Sequence, residues 1–377
     1  MSKKGELTVT GVFSTIGAIL ISLGVIWFLA SNWHQMPSFA KILILVIATS
    51  AAYFAGYKLE AEHETISQAM YMLTAILWTL SLFLIAQIFN LTSTFQANSN
   101  ILLVALIGTA TLSYLLRSAL TLVVAIFTFE AWVWLQTLST VMAMEALGFE
   151  GAFSLILLNQ LAVTGTLFGL ALLHRAYKQD FAPIYTWWAA FSIFGLGFWL
   201  SNQAAQGFVP GFWQMSMFLL LPRLAVPALL IGAGTYLSLS QKKISKFDAW
   251  SGASIWLGYI IAISILPTIL GLAPGQYVFR IWDMSPGYIV QWLIFNAIYI
   301  ALMLTVISFG TREKRTSLVY LALLYFVVYI AARYIGFIAD LSGYLAISTM
   351  FIIGGIGLIV VAYFLNKFRK HTLAQLR

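Results

Sequence analysis

The chain contains no cysteine and few charged residues. Of its 377 residues, 8% are Asp, Glu, Lys or Arg, whereas 61% are hydrophobic. Soluble domains typically carry about 25% charged residues. The composition therefore excludes a soluble globular protein, and the lack of Cys excludes disulfides and thiolate metal sites.

The short motifs of several common enzyme classes are also missing. The sequence has no G-x-x-x-x-G-K-[ST] to cradle phosphates, no H-E-x-x-H to bind zinc and no G-x-S-x-G elbow. The histidines lie in separate gaps or tails, at His34, His63, His174 and His371. We therefore expect no metal site and no bound cofactor, while the sequence leaves open whether the chain is an enzyme.

Long apolar runs take up most of the chain. A run of about 17 to 25 residues crosses a hydrocarbon core of roughly 30 Å as a helix. The predicted spans are 10–30, 40–57, 68–90, 101–116, 118–138, 152–173, 184–203, 217–240, 249–272, 287–309, 317–339 and 344–366. The gaps are too short for a soluble domain, so the sequence predicts an all-α, polytopic transmembrane helix bundle of about twelve spans. Residues 1–377 would form a single integral membrane domain.

The basic residues indicate how this bundle is oriented. Sixteen of the twenty Lys and Arg fall into every second gap or the tails. The alternate gaps hold Lys41 and Arg280. Cytoplasmic loops are enriched in Lys and Arg, which places both termini in the cytoplasm and the protein in the cell membrane. The pI near 9.5 then reflects contact with membrane lipids, not nucleic acid.

Polar side chains within the spans cluster in their predicted outer halves. Such groups are costly when they face lipid, so we expect them to face inward and to bind a substrate. The candidate substrate-binding residues are Gln87, Asn90, Glu130, Asn159, Arg223, Tyr329 and Arg333.

Arg333 shares a helix face with tyrosines at four-residue steps, at Tyr325 and Tyr329. We expect Glu130 to pair with Arg333, and this face to hold an anionic or hydroxyl-rich ligand. A purely structural ion pair, or an Arg that reaches to the interface, is the alternative.

Two features of the spans bear on helix packing. Pro222 and Pro227 flank Arg223 and favour a broken helix, although Pro222 could equally begin a later helix. Gly165 and Gly169 form a G-x-x-x-G pattern that suits close helix contact.

Three stretches carry a resemblance to a known family. They are residues 24–33 (GVIWFLASNW) with Pro37 and Lys41, residues 85–90 (IAQIFN), and Arg333-Tyr334 before a Gly-rich last span. The chain resembles bacterial predicted membrane proteins of domain-of-unknown-function family 2157. It departs from that family at His34, where an acidic residue commonly stands, and in lacking the cytosolic helices that precede the first span in many members. The resemblance implies an architecture and no chemistry.

Three functions fit these features. The first is transport or flipping of a small or lipid-linked polar substrate, possibly anionic, through an outward-opening cavity. The second is a membrane-embedded transferase with Glu130 or His34 as general base. The third is a non-catalytic membrane subunit or assembly factor, whose polar groups fix helix register.

The charge alternation makes a direct prediction about topology. Reporters fused after Lys178, Lys246 and Lys314 should report the cytoplasm, because these sites lie in Lys- and Arg-rich gaps. Reporters fused after Asn98, Gly148 and Gly207 should report the outside, and a cytoplasmic signal at either Asn98 or Gly148 would contradict the twelve-span topology.

Overall fold

The computed structural model describes residues 36–146, 154–177, 180–202, 217–241, 246–264, 266–272 and 285–341, with scattered positions between 13 and 31. Regular structure in these residues is helical throughout, including the described positions from 13 to 31. The chain divides into two compact units, residues 1–143 and 144–377. The expectation that residues 1–377 form a single integral membrane domain is not tested by this division and stays a prediction.

Helices α1 to α4 belong to the first unit, with the division falling near the end of α4. They are α1 Ser38–Leu59, α2 Glu64–Ile88, α3 Phe95–Leu115 and α4 Ala119–Ala146. The second unit contains α5 Ser154–Ala176, α6 Ala182–Leu200, α7 Met217–Ser240, α8 Lys246–Ser264, α9 Leu266–Ile269, α10 Pro286–Arg312 and α11 Thr316–Leu341.

The predicted class, a helical membrane bundle, is confirmed. In the described part of the chain, eight helices are long and apolar enough to cross a membrane, namely α1 to α5, α7, α10 and α11 in whole or in part. The total of twelve spans and the cytoplasmic termini stay predictions, and the predicted span 344–366 lies outside the described residues.

The expectation of a helix broken at Pro222 and Pro227 was wrong. Helix α7 continues from Met217 to Ser240 through both Pro222 and Pro227. A transmembrane helix tolerates proline where other groups satisfy the freed carbonyls. The predicted span 249–272 corresponds to α8 and the four-residue helix α9, which contains Pro267, and position 265 between them lies outside the described residues.

Small residues and hydroxyls bring α1 and α2 together in the first unit. Ala52 packs against Met72 and Leu77 in a buried cluster. Near the turn between the two helices, the Ser67 hydroxyl donates to the Gly56 carbonyl at 2.8 Å. A Cβ at Gly56 would lie 2.8 Å from the Tyr71 ring, so this crossing requires glycine.

Helix α6 is the central helix of the second unit, since 11 of its 19 residues are buried. Helices α5, α10 and α11 all pack against it. Side chains of these three neighbours therefore surround much of α6.

The predicted glycine contact is confirmed between α5 and α7. A Cβ at Gly169 would lie 2.5 Å from the Leu230 Cβ and 2.8 Å from the Ile231 nitrogen. A Cβ at Gly165 would lie 2.8 Å from the Pro227 Cβ. The two backbones can approach this closely only because these positions lack side chains.

The substitution Gly169→Ala should destabilise the second unit, because the added methyl group meets backbone atoms that cannot yield. Overpacking of this kind costs about 1–3 kcal/mol. Gly232→Ala on α7 is the matched control, because no atom lies within 4 Å of its added Cβ. Thermal unfolding in detergent measures both variants, and equal midpoints would contradict the packing.

Candidate functional site

The end of α6 forms the first part of the site, because its last carbonyl groups lack partners within the helix. Ser201 caps this end and is fully buried. Its backbone oxygen accepts hydrogen bonds from Arg333 Nη2, from Trp292 Nε1 at 2.8 Å and from Asn296 Nδ2 at 3.3 Å. Three donors from α10 and α11 thus converge on one carbonyl.

A positive charge suits this position, since a helix carries partial negative charge at its C-terminus. Arg333 Nη2 also donates to Ser201 Oγ at 2.7 Å. The Arg333 guanidinium carbon lies 5.2 Å from the Tyr329 ring centre and 5.6 Å from that of Trp292. The cation is therefore held by a carbonyl, a hydroxyl and two aromatic rings, all of which are neutral.

One further hydrogen bond orders this group. The Tyr329 hydroxyl donates to Asn296 Oδ1 at 2.7 Å, and Asn296 Nδ2 donates to the Trp292 carbonyl at 2.7 Å. We call Ser201, Trp292, Asn296, Tyr329 and Arg333 the Arg333 site. Within the described residues, Arg333 Nε is buried and has no hydrogen-bond partner, so the site keeps one unused donor.

A group of aromatic residues lies next to the Arg333 site, buried except for the half-buried Tyr325, and we call it the tyrosine cluster. Its members are Phe194, Tyr259, Tyr299 and Tyr325. Tyr299 meets Tyr329 edge to face at 5.3 Å between ring centres. The hydroxyls of Tyr259 and Tyr299 are buried without hydrogen-bond partners in the part of the chain that is described. Buried hydroxyls are normally satisfied, so these two require an explanation.

Glycine allows the tyrosine cluster to form. A Cβ at Gly197 would overlap the Tyr259 hydroxyl and would lie 2.5 Å from Tyr299 Cδ2. Gly197 stands one helical turn before Ser201 on α6. The same face of α6 therefore carries the Arg333 site and the tyrosine cluster.

An apolar cavity of about 100 Å³ lies beyond the tyrosine cluster, toward the start of α6. Its walls come from α5, α6, α8, α10 and α11, and include Phe168, Ile193, Trp256, Leu302 and Phe309. Arg175, in the last turn of α5, also lines it. No candidate residue predicted from the sequence lines this cavity, and the expected outward-opening cavity stays a prediction.

The predicted candidates fall into different places. Tyr329 and Arg333 come together as their spacing predicts. In the second unit, Asn159 on α5 is buried and Arg223 on α7 is half-buried. Neither joins the hydrogen bonds or ring contacts of the Arg333 site.

The other three candidates belong to the first unit. Gln87 is exposed near the end of α2, and Glu130 is half-buried on α4. Asn90 has a left-handed backbone with φ of 56°. Asn often ends helices in this conformation, and Leu91 N–H donates to the Ala86 carbonyl at 2.8 Å, so Asn90 has a capping role. The pairing of Glu130 with Arg333 would join different units and stays a prediction.

Three residues of the Arg333 site, Ser201, Trp292 and Asn296, are not among the candidates predicted from the sequence. Trp292, Asn296 and Tyr299 recur at steps of four and three on α10, a pattern that places them on one helix face. Ser201 has no such pattern, because its backbone oxygen does the binding. In the first unit, Gln136 Oε1 accepts from Ser99 Oγ at 2.9 Å and from Gln96 Nε2 at 3.2 Å, which links α3 to α4.

Comparison with known proteins supports the membrane architecture. Residues 2–122 match the predicted membrane protein family DUF2157. The resemblance drawn from the early part of the chain is therefore confirmed. The matched stretch ends before the Arg333 site, and its description names no activity. No curated protein and no solved structure matches the chain.

The hydrogen bond from Tyr329 to Asn296 generates a prediction. Tyr329→Phe should lower the free energy of unfolding by about 1 kcal/mol, because it leaves a half-buried amide oxygen without its donor. Tyr325→Phe, one turn away on α11, is the control, since its ring packs on Phe194 without a hydroxyl hydrogen bond in the structure. Thermal unfolding in detergent compares the two, and a Tyr325→Phe loss as large as that of Tyr329→Phe would contradict the assignment.

Proposed function

We propose that the second unit translocates a small or lipid-linked polar substrate with negative charge across the membrane. The decisive observation is the chemistry around Arg333. Among the described residues of the second unit, its partners are Ser201, Trp292 and Tyr329, all uncharged. An intramembrane cation of this kind attracts a negative group and by default marks a functional site.

The tyrosine cluster supports the proposal through its position. Asn296, Tyr299 and Leu302 follow each other at three-residue steps on α10, from the Arg333 site to the apolar cavity. The unpaired hydroxyls of Tyr259 and Tyr299 offer donors and acceptors along this line. A polar group leaving Arg333 would therefore meet hydroxyls before it meets hydrocarbon.

The alternative of a non-catalytic membrane subunit has its own support. Arg333 satisfies the end of α6 through Ser201, a role that a purely structural residue would also fill. The two functions differ in what the charge does. A structural Arg333 stabilises the fold and leaves lipid or solute movement unchanged.

Movement of labelled lipids in proteoliposomes tests the proposal. The probes are fluorescent phosphatidylglycerol, which is anionic, and fluorescent phosphatidylcholine, which is zwitterionic, with dithionite quenching from one side. The wild-type protein should speed the exchange of the anionic probe above protein-free vesicles. Arg333→Gln should slow it by about tenfold or more, as expected for loss of an interaction of 1.4 kcal/mol or more.

Two controls make the result specific. Arg333→Lys keeps the charge and should retain part of the activity. Full activity is not expected, because Lys lacks the planar guanidinium group and its several N–H donors. Lys58→Gln removes an exposed charge from the first unit and should have no effect. The proposal fails if wild-type vesicles exchange neither probe faster than empty vesicles, or if Arg333→Gln matches wild type in folded protein.

A further inference from the structure

The apolar cavity has walls that offer almost nothing to water. Thr164, Thr186 and Thr305 line it, and each hydroxyl donates to the carbonyl four residues earlier in its own helix, at 2.7 to 2.9 Å. The Trp256 indole donates to the Leu161 carbonyl at 2.8 Å. A water molecule needs two to four polar partners, so hydrocarbon fits this cavity better than water does.

The size of the cavity limits its occupant. Its volume of about 100 Å³ approaches that of an engineered apolar cavity of about 150 Å³ that binds benzene. It accommodates a segment of a hydrocarbon chain, and its apolar lining disfavours a sugar or a nucleotide. The occupant must therefore be narrow and apolar where it enters the cavity.

Charge at the edge of the cavity adds a second requirement. Arg175 lines the cavity, and its Nη1 lies 3.9 Å from Glu313 Oε1, beyond direct hydrogen-bond length. Arg315, in the turn between α10 and α11, is half-buried, and its Nη1 has no hydrogen-bond partner in the described residues. Among these three charged groups, two cations outnumber one carboxylate.

The surroundings of Arg315 favour the binding of an anion. Burial lowers the pKa of Arg315, and repulsion from Arg175 lowers that pKa further, while Glu313 raises it. The guanidinium remains protonated at neutral pH all the same. A negative group placed beside Arg175 and Arg315 would reduce the repulsion between the two guanidinium groups. It would also accept a hydrogen bond from Arg315 Nη1.

We propose that this part of the second unit binds an anionic phospholipid, with part of an acyl chain in the cavity and the phosphate at Arg175 and Arg315. Basic pockets between transmembrane helices on the cytoplasmic side are known to take such headgroups. The loop charges predict that this end of the unit faces the cytoplasm. The inference does not rest on translocation, because a lipid held here can equally be a permanent part of the protein.

Native mass spectrometry of the full-length protein, released from mixed micelles of phosphatidylglycerol and phosphatidylcholine, tests the inference. The wild type should retain phosphatidylglycerol in preference to phosphatidylcholine. Arg175→Gln and Arg315→Gln should each lower that retention by about fivefold. Lys314→Gln is the control, since it removes a charge from the same turn without touching the cavity, and should change retention least.

A second variant examines the cavity itself. Ala189→Leu places a larger side chain on the cavity wall and leaves every charge in place. It should reduce phosphatidylglycerol retention while the protein elutes as the same species in size exclusion. If this variant does not fold, the comparison of phosphatidylglycerol retention between wild type and Arg175→Gln still tests the inference.

Three outcomes would overturn the inference. They are equal retention of both lipids by wild type, unchanged retention in both arginine variants, and full displacement of the lipid by inorganic phosphate, which would indicate a site for a free anion. Failure of lipid exchange in vesicles would leave this binding unaffected, so the two proposals fail separately.

Discussion

The hydrogen bonds to the Ser201 carbonyl determine how the second unit is arranged. The last carbonyl groups of a helix lack partners within it, and Ser201 at the end of α6 is buried, so an unsatisfied carbonyl there would be costly. Trp292 and Asn296 from α10 and Arg333 from α11 supply the donors. Because all three must reach one oxygen, they fix both helices against α6.

This arrangement gives the second unit a cation at each end of α6. Arg333 lies at the Ser201 end, and Arg175 lies where α5 ends and α6 begins. Tyrosines and then an apolar cavity fill the space between them. The translocation proposal follows from the order of charge, hydroxyl and apolar surface that begins at Arg333, and the lipid proposal follows from the apolar cavity beside Arg175.

Much of the fold could be predicted from the sequence, because hydrophobic length and glycine spacing act locally. The apolar runs located the described helices, and Gly165 and Gly169 marked the close contact of α5 with α7. Four-residue spacing likewise placed Tyr329 beside Arg333. The prolines of α7 were misread because a membrane helix tolerates what a soluble helix does not.

The rest of the site could not be predicted, for physical reasons. The main partner of Arg333 is a backbone oxygen, and every residue has one, so no residue type signals it. Asn90 has a left-handed backbone that suits the end of α2, which the sequence alone does not reveal, and its predicted role in substrate binding stays a prediction. Residues from five helices line the cavity, and the spacing of residues within any one helix does not show how five helices pack together.

A double-mutant cycle between Arg333 and Trp292 tests the central claim most directly, because both side chains donate to the same oxygen of Ser201. The unfolding free energies of Arg333→Gln, Trp292→Phe and the double variant would be measured in the same detergent. The shared acceptor predicts a coupling energy of about 0.5–3 kcal/mol. Losses that add to within about 0.5 kcal/mol would show that the two residues act independently and would contradict the claim.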